Sequence, residues 1–573
     1  MSRGNTVTRL ANDPADFADE ALEGFVAANR RYVRKVHGGV VRATKTPEGQ
    51  VGLVIGGGTG HYPAFAGWVG AGLAHGAACG NIFASPAASQ VYSVIKAAEN
   101  GAGVLVSFGN YAGDVLQFGQ AAAQLHTEGV DVRILAITDD VASAPADRVE
   151  LRRGIAGDLT VFKVAGAAAE AGLSLDEVER VAVKANAATR TMGVAFNGCT
   201  LPGADHPLFT VPRGRMGVGL GIHGEPGVDE LPVGTADGVA QLLFDHVTAE
   251  TPADDSQRVA VLINGLGTVK YEELFVVYRK VAELLAERGY TVIDPVVGEQ
   301  CTSLDMAGLS LTLMWLDEEL ERFWTAPSDA PAYRKGVVEA RETIADDAVV
   351  ERTDTIASGS VESRALATKI ADGLLLAQDV LVQNEARLGD IDAVAGDGDH
   401  GIGMVRGVRA AVDSARASLD AEAGARTLVM RAGDAWAEKA GGTSGALWGV
   451  ALNAVGACLD DQHAAERETL ISAVQAAVDA VVQLGGAELG DKTMIDAAVP
   501  FAESLSQQRA ASLRAAWKTA ASICQEAAEN TADIQAKRGR ARVLAEKSIG
   551  TPDPGAISFA MLMAAMTELF GDE

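Results

Sequence analysis

The chain has 573 residues, 48% of them hydrophobic and 22% charged, with 64 glycines and a formal net charge of −28. That length exceeds what one core serves, so at least two domains are expected, and no apolar run is long enough to span a membrane. The acidic balance excludes a nucleic-acid partner, whose phosphates demand a basic surface, and an anionic substrate would need a metal or local dipoles to screen it.

The start, MSRGNTVTRLANDPADF, has no apolar stretch of the secretory kind, and the expected compartment is the cytoplasm. Up to about residue 330, short apolar runs alternate with Ala-rich helical windows: VGLVI from 51, GVLVS from 103, VRILAIT from 132, RVAVLI from 258 and LSLTLMW from 309. This grammar predicts an α/β architecture in two lobes. The first run leads into VIGGGTGHYP, residues 54 to 63. The stretch lacks the Lys-Ser/Thr ending of a P-loop and the glycine spacing of a dinucleotide fingerprint. His61 leaves the turn at the carboxyl end of a strand, the usual ligand position in open α/β sheets. Three readings stay open here: a phosphate cradle, a site for a small hydroxylated ligand, or a tight turn with an incidental histidine. Cys79, Cys199, Cys301, Cys458 and Cys524 are scattered and never form a Cys-x-x-Cys pair, which suggests neither a disulfide framework nor a zinc site.

From 332 to 360 the sequence turns charged and loses its periodicity, as a linker would. Beyond it the β-type runs vanish. Leu366, Ile370, Leu374, Leu381 and Leu388 recur at intervals of four and seven, the stripe of a helix facing a bundle core. GDIDAVAGDGDHGIG then sets Asp390, Asp392, Asp397 and Asp399 within ten residues, either to hold a hard cation such as Mg²⁺ or as a solvated acidic loop. The spacing is not that of an EF-hand. KAGGTSGALWG and GTPDPGAIS add glycine-rich turns that, with the aspartates, outline a nucleotide site outside both the P-loop and Rossmann patterns.

GGGTGHYPAF, GNYAGDVLQF, RRGIAGDL, GLGIHGEPG and TSLDMAGLSLTLMWLD in the first half, with GDGDHG, GGTSGALWG, GDKTMIDA and KRGRARVLAEKSIGTPDPGAIS in the second, resemble the single-chain dihydroxyacetone kinase family. The resemblance implies a ketose-binding kinase domain over 1–331, a linker over 332–360 and an all-α helical-barrel domain over 361–573 that binds ATP and two Mg²⁺ ions. It implies that His223 adds to the substrate carbonyl as a covalent hemiaminal, which glycerol cannot form. His61 and Asp114 then bind and deprotonate the attacking hydroxyl. Gly57, Gly58, Tyr62, Gly109 and Asn110 surround the sugar. Asp392, Asp397 and Asp399 carry the metals. His400, Gly403, Thr443, Ser444 and Gly445 line the phosphates, and Gly490, Asp491, Met494, Asp553 and Gly555 lie near the adenosine. A homodimer that needs no phosphocarrier protein is also implied.

Two positions depart from the dihydroxyacetone-specific pattern: Tyr62 replaces a usual glutamate, and Gly109 a common lysine. Losing a long cationic side chain frees volume and removes a donor, and the sequence is more similar to the ketotetrose branch. The expectation is phosphorylation of D-erythrulose at its 4-hydroxyl, with L-erythrulose or dihydroxyacetone as alternative acceptors. FAD-AMP lyase (FMN cyclising) activity and a phosphocarrier-dependent relay are the competing readings.

Overall fold

A computed structural model describes residues 10–252, 256–344, 356–396, 398–508, 512–538 and 547–570. The chain divides into two compact units, Met1–Val349 and Val350–Glu573.

The first unit is built on two sheets. One has the strands β1 (Val33–Val36), β2 (Gly39–Arg42), β3 (Gly52–Thr59), β4 (Gly76–Ile82), β5 (Val104–Gly109) and β6 (Val132–Ile137), in the spatial order β1-β2-β4-β3-β5-β6. Strands β4, β3, β5 and β6 run parallel, and β1 and β2 cap the edge antiparallel. The other holds β7 (Thr189–Asn197), β8 (Arg215–Val218), β9 (Asp229–Pro232), β10 (Arg258–Gly265), β11 (Thr291–Val292), β12 (Val296–Gly298) and β13 (Ala307–Trp315). Its order is β11-β10-β13-β7-β8-β9, with β12 also paired to β10.

The unbroken apolar runs follow from burial on both faces. Side chains alternate along a strand, so Leu53 and Ile55 enter one core while Val54 enters another, shared with Val104, Val106 and Phe108. In the second sheet Ala260 and Leu262 face the first of these cores, whereas Val259, Val261 and Ile263 face a third. The core common to both sheets also takes the helix Asp158–Glu170, buried from Asp158 through Ala169, as an all-round apolar helix must be.

Residues 332–344, where composition suggests a connecting segment, hold to the first unit. Arg334–Lys335 pairs with Ser328–Asp329, Ile344 N donates to Ala43 O at 2.8 Å, and Arg341 bridges to Glu170. Glu170 also accepts from Arg42 at 3.1 Å and from Gly72 N at 3.0 Å.

The described part of the second unit is helical, apart from an isolated bridge between Ser358 and Ala423. Its first helix, Val361–Asp392, buries Leu374, Leu381 and Leu388, with Leu366 and Ile370 packed at the margin of the core. The stripe read from the sequence is the inner face of that helix. Trp436 and Trp448 stack at 5.1 Å within the same core.

Candidate active site

In the first unit the carboxyl ends of β3, β5 and β6 meet two loops of the second sheet. His61 lies just beyond β3 and His223 between β8 and β9; they are 162 residues apart, yet their Nε2 atoms stand 3.0 Å from each other. Both rings are buried. His61 Nδ1–H donates to the Thr302 carbonyl at 2.7 Å, and His223 Nδ1–H donates to Glu225 Oε1 at 2.9 Å. With both outer nitrogens acting as donors, the 3.0 Å contact is a hydrogen bond when one proton lies between the two inner nitrogens.

Phe83 stacks on His61 at 4.8 Å, and the Tyr111 ring meets His223 edge-on at 4.8 Å. Glu225 Oε2 accepts the His223 backbone N–H at 3.0 Å, and the Arg153 Nη1 lies 3.8 Å from that oxygen. Arg153 in turn pairs with the buried Asp140 at 2.8 Å. Burial works against the Arg153 charge, but Asp140 and Glu225 hold its pKa above the ordinary value. Arg153 thus pairs with Asp140, and Glu225 faces the His223 ring. Gly221 makes this approach possible, because a Cβ there would collide with Glu225 Oε2 and lie 2.6 Å from Arg153 Nη1.

Asp114 is buried in the first turn of the helix Ala112–Thr127 that follows β5. Asn110 is committed to the loop after β6, donating to Glu150 O at 3.0 Å and Arg152 O at 2.7 Å. Gly57 and Gly58 have packing reasons of their own: a Cβ on Gly57 would stand 2.5 Å from Phe65, and one on Gly58 would stand 2.8 Å from the Ala84 nitrogen. Both glycines line a cavity of about 400 Å³ with Phe17, Leu22, Phe25 and Tyr62. The two departures from the family pattern therefore have different surroundings. Tyr62, 53% exposed, sets its ring edge-on to Phe25 on the cavity side, while Gly109 lies beside Tyr111 and Asp158.

The second unit gathers acids at helix ends. Asp392 closes the helix Val361–Asp392, Asp399 stands at the N-cap position of His400–Asp420 without a capping hydrogen bond from its side chain, and Asp553 caps Pro554–Ala565, accepting from Ala556 N at 2.7 Å. Burial, then Asp392, pushes the Asp399 carboxyl up to about 7. Burial, with Asp392 and Asp496, pushes Asp553 up to about 7 as well. Burial favours the neutral imidazole of His400, whose Nε2–H donates to Ser558 Oγ at 3.0 Å, and Ser558 Oγ–H donates in turn to Gly555 O at 3.0 Å. Mutually repelling hard oxygens at this end fit a divalent cation. Asp397 lies outside the described residues, and among those described no three His, Cys, Asp or Glu side chains converge on one metal position.

Gly403 sits in the first turn of the His400–Asp420 helix, where a Cβ would meet nothing within 4 Å. Thr443, Ser444 and Gly445 form the first turn of Gly442–Cys458, an end whose N–H groups suit an anion. Gly490 N donates to Asp496 Oδ1 at 2.6 Å. Asp491 accepts from Glu488 N at 3.0 Å and from Arg538 at 3.1 Å, which holds its carboxyl below the ordinary range. Met494 precedes the helix Ile495–Gln507, and a Cβ on Gly555 would lie 3.4 Å from it. Between them, Lys492 Nζ donates to the carbonyls of Ile534 at 3.0 Å, Thr551 at 2.7 Å and Ser548.

Glu225, Arg153, Asp140, Thr302 and Tyr111 escape a reading of the sequence for chemistry. Most lie within or beside the quoted motifs RRGIAGDL, GLGIHGEPG, GNYAGDVLQF and TSLDMAG, but nothing in the spacing gives them partners.

Comparison with known proteins agrees with this architecture. The Dak1 domain family matches residues 23–332 and the DAK2 domain family residues 394–568. A protein of Mycolicibacterium smegmatis named L-erythrulose 1-kinase is 59% identical over 98% of this chain and 99% of its own. Another from the same organism, named D-erythrulose kinase, is 54% identical over 97% of each chain. Among solved structures, the dihydroxyacetone kinase of C. freundii in complex with AMP-PNP and Mg²⁺ superposes with a TM-score of 0.53 at 30% identity, covering 98% of this chain and 99% of that one. The chain thus belongs to the dihydroxyacetone kinase family, in which a Dak1 domain precedes a DAK2 domain.

Proposed function

We propose that the chain is an ATP-dependent kinase of short-chain ketoses, with erythrulose held covalently on His223 Nε2 while a terminal hydroxyl receives the γ-phosphoryl group. The observation that carries this reading is the 3.0 Å approach of the two histidine Nε2 atoms. When the shared proton rests on His61, His223 Nε2 presents a lone pair to a ketone carbon. As the C–N bond forms, His61 gives that proton to the carbonyl oxygen, which becomes the hemiaminal hydroxyl. His61 Nε2, now unprotonated, accepts the proton of the hydroxyl under phosphorylation, with Asp114 sharing that task. A polyol has no carbonyl and is rejected by chemistry rather than by size.

In the helical domain Asp392, Asp397 and Asp399 would hold Mg²⁺, which neutralises charge on the phosphates when bound. The helix starts at His400 and Gly442 would supply N–H donors to the same phosphates. On this reading the ketose domain is 1–331 with 332–344 packed onto it, the ATP domain is 361–573, and the working unit is a homodimer, which light scattering tests. L-Erythrulose leads among the acceptors because the relative named for it is 59% identical, against 54% for the D-erythrulose kinase. D-Erythrulose phosphorylated at O4 is the expectation from family likeness alone.

The test is ADP release with MgATP and L-erythrulose, D-erythrulose, dihydroxyacetone, glycerol or no acceptor, with His223→Ala in parallel. Turnover of one erythrulose that disappears in the variant is expected. Silence with every ketose, or undiminished turnover by His223→Ala, would overturn the reading.

A further inference from the structure

Among the buried polar atoms with no hydrogen-bond partner in the described residues are Arg153 Nη1, Asp158 Oδ1 and the hydroxyl of Tyr111, whose ring abuts His223. Asp158 is 2% exposed. It opens the helix that follows the RRGIAGD loop, and its Oδ1 accepts no hydrogen bond from the described residues. A buried carboxyl in that state is costly, and such groups are normally satisfied by protein, water or ligand.

Its position is specific. A Cβ at Gly109 would lie 3.1 Å from Gly154 O, 3.2 Å from Tyr111 Cε2 and 3.4 Å from Asp158 Oδ2. Tyr111 and Asp158 thus both lie against the bare Cα of Gly109, and the Tyr111 ring abuts His223 at 4.8 Å. Asp114 and Asp139 lie close enough to raise the Asp158 carboxyl well above the ordinary range, after burial itself. Asp139 is already satisfied, accepting from Ile155 N at 2.8 Å and Gly157 N at 2.9 Å, so the unused hydrogen-bonding capacity belongs to Asp158.

We propose that Asp158 and Tyr111, uncovered by Gly109, form a subsite for a hydroxyl on the carbon by which a four-carbon ketose exceeds a three-carbon one. This rests on the erythrulose reading above and identifies the residues behind that preference. A hydroxyl both donates and accepts, so it can satisfy the carboxyl and the phenol together. Dihydroxyacetone, lacking that carbon, leaves both groups unpaired, and a site built around a hydroxyl discriminates against the analogue without it.

The experiment uses the full chain with Asp158→Asn and Tyr111→Phe, measuring kcat/KM for both erythrulose enantiomers and for dihydroxyacetone. In Asp158→Asn the ratio of erythrulose to dihydroxyacetone kcat/KM should fall roughly tenfold or more, mainly through KM, the worth of one hydrogen bond to a carboxyl group. Tyr111→Phe should move the same ratio in the same direction, by about threefold or more. If Asp158→Asn fails to fold, the Tyr111→Phe ratio decides. A carboxyl with a purely structural role would lower both acceptors alike, and a ratio that stays within about threefold of the unmutated value in both variants overturns the subsite. Absence of erythrulose turnover by the unmutated chain would instead sink the tetrose reading itself.

Discussion

Glu225→Gln is the sharpest test of the shared-proton arrangement. The carboxylate accepts two N–H groups of His223, the ring Nδ1–H at 2.9 Å and the backbone N–H at 3.0 Å, with the Arg153 guanidinium 3.8 Å away. Glutamine has one acceptor oxygen, so its NH2 group must face one of these donors or the cation. Replacing a charged acceptor by a neutral one loses about 1 kcal/mol, and a buried donor left unpaired costs about 1–3 kcal/mol. Together these predict a loss of about 2–4 kcal/mol in transition-state stabilisation, a factor of roughly 30 to 1,000 in kcat/KM for erythrulose. The assay is coupled ADP release, with a thermal melt to show that the variant is folded. A folded Glu225→Gln enzyme within about threefold of the unmutated kcat/KM would refute the claim that Glu225 orients His223.

Three further outcomes are expected. Gly221→Ala should lower kcat/KM by a similar factor, because the new methyl displaces Glu225 and Arg153, and steady-state kinetics on the folded variant checks it. Burial pushes the Glu170 carboxyl up, but Arg42, Gly72 N and Arg341 together hold it down to about 2. Its folded pKa lies below the unfolded one, so it contributes about 3 kcal/mol above pH 4.5 that is lost as the pH falls toward 2. Denaturant midpoints of Glu170→Gln should therefore drop at pH 7 and converge with the unmutated chain at low pH. Asp399→Asn should abolish turnover and the stabilisation of the helical domain by MgATP, about 2.7 kcal/mol at a hundredfold excess over Kd, each protein being compared with its own unloaded melting point. Calorimetry with and without MgATP, and after chelation, checks this.

The strands of the first domain were legible because their apolar runs enter cores on both faces. VGLVI, GVLVS, VRILAIT, RVAVLI and LSLTLMW all became strands. Strand β4, GAACGNI, has no such signal, since alanine and glycine there answer to close packing by neighbours such as Val41 and Val94. Gly57 stood out as a glycine, but its closeness to Phe65 depends on a tertiary contact. Convergence was least legible. His61 and His223 meet only because two sheets present their loops to each other, and Asp158 is distinctive only once the lack of a partner for its Oδ1 among the described residues is seen. In the helical half the acids were visible as a cluster, whereas the contribution of Asp553 came from a distant helix cap.

Lys492 sits in GDKTMIDA, where a lysine invites comparison with the phosphate anchors of other nucleotide sites. An ammonium has three donors, and the carbonyls of Ile534, Ser548 and Thr551 take all of them. Its charge is thus committed to the backbone, and at 6% exposure it is shielded from reagents that acylate surface amines at once. Lys492 becomes an internal clock for this corner of the protein. Under a pulse of an amine-reactive label it gains mass only when the three carbonyls let go, so its labelling rate measures how often this end of the helical domain opens.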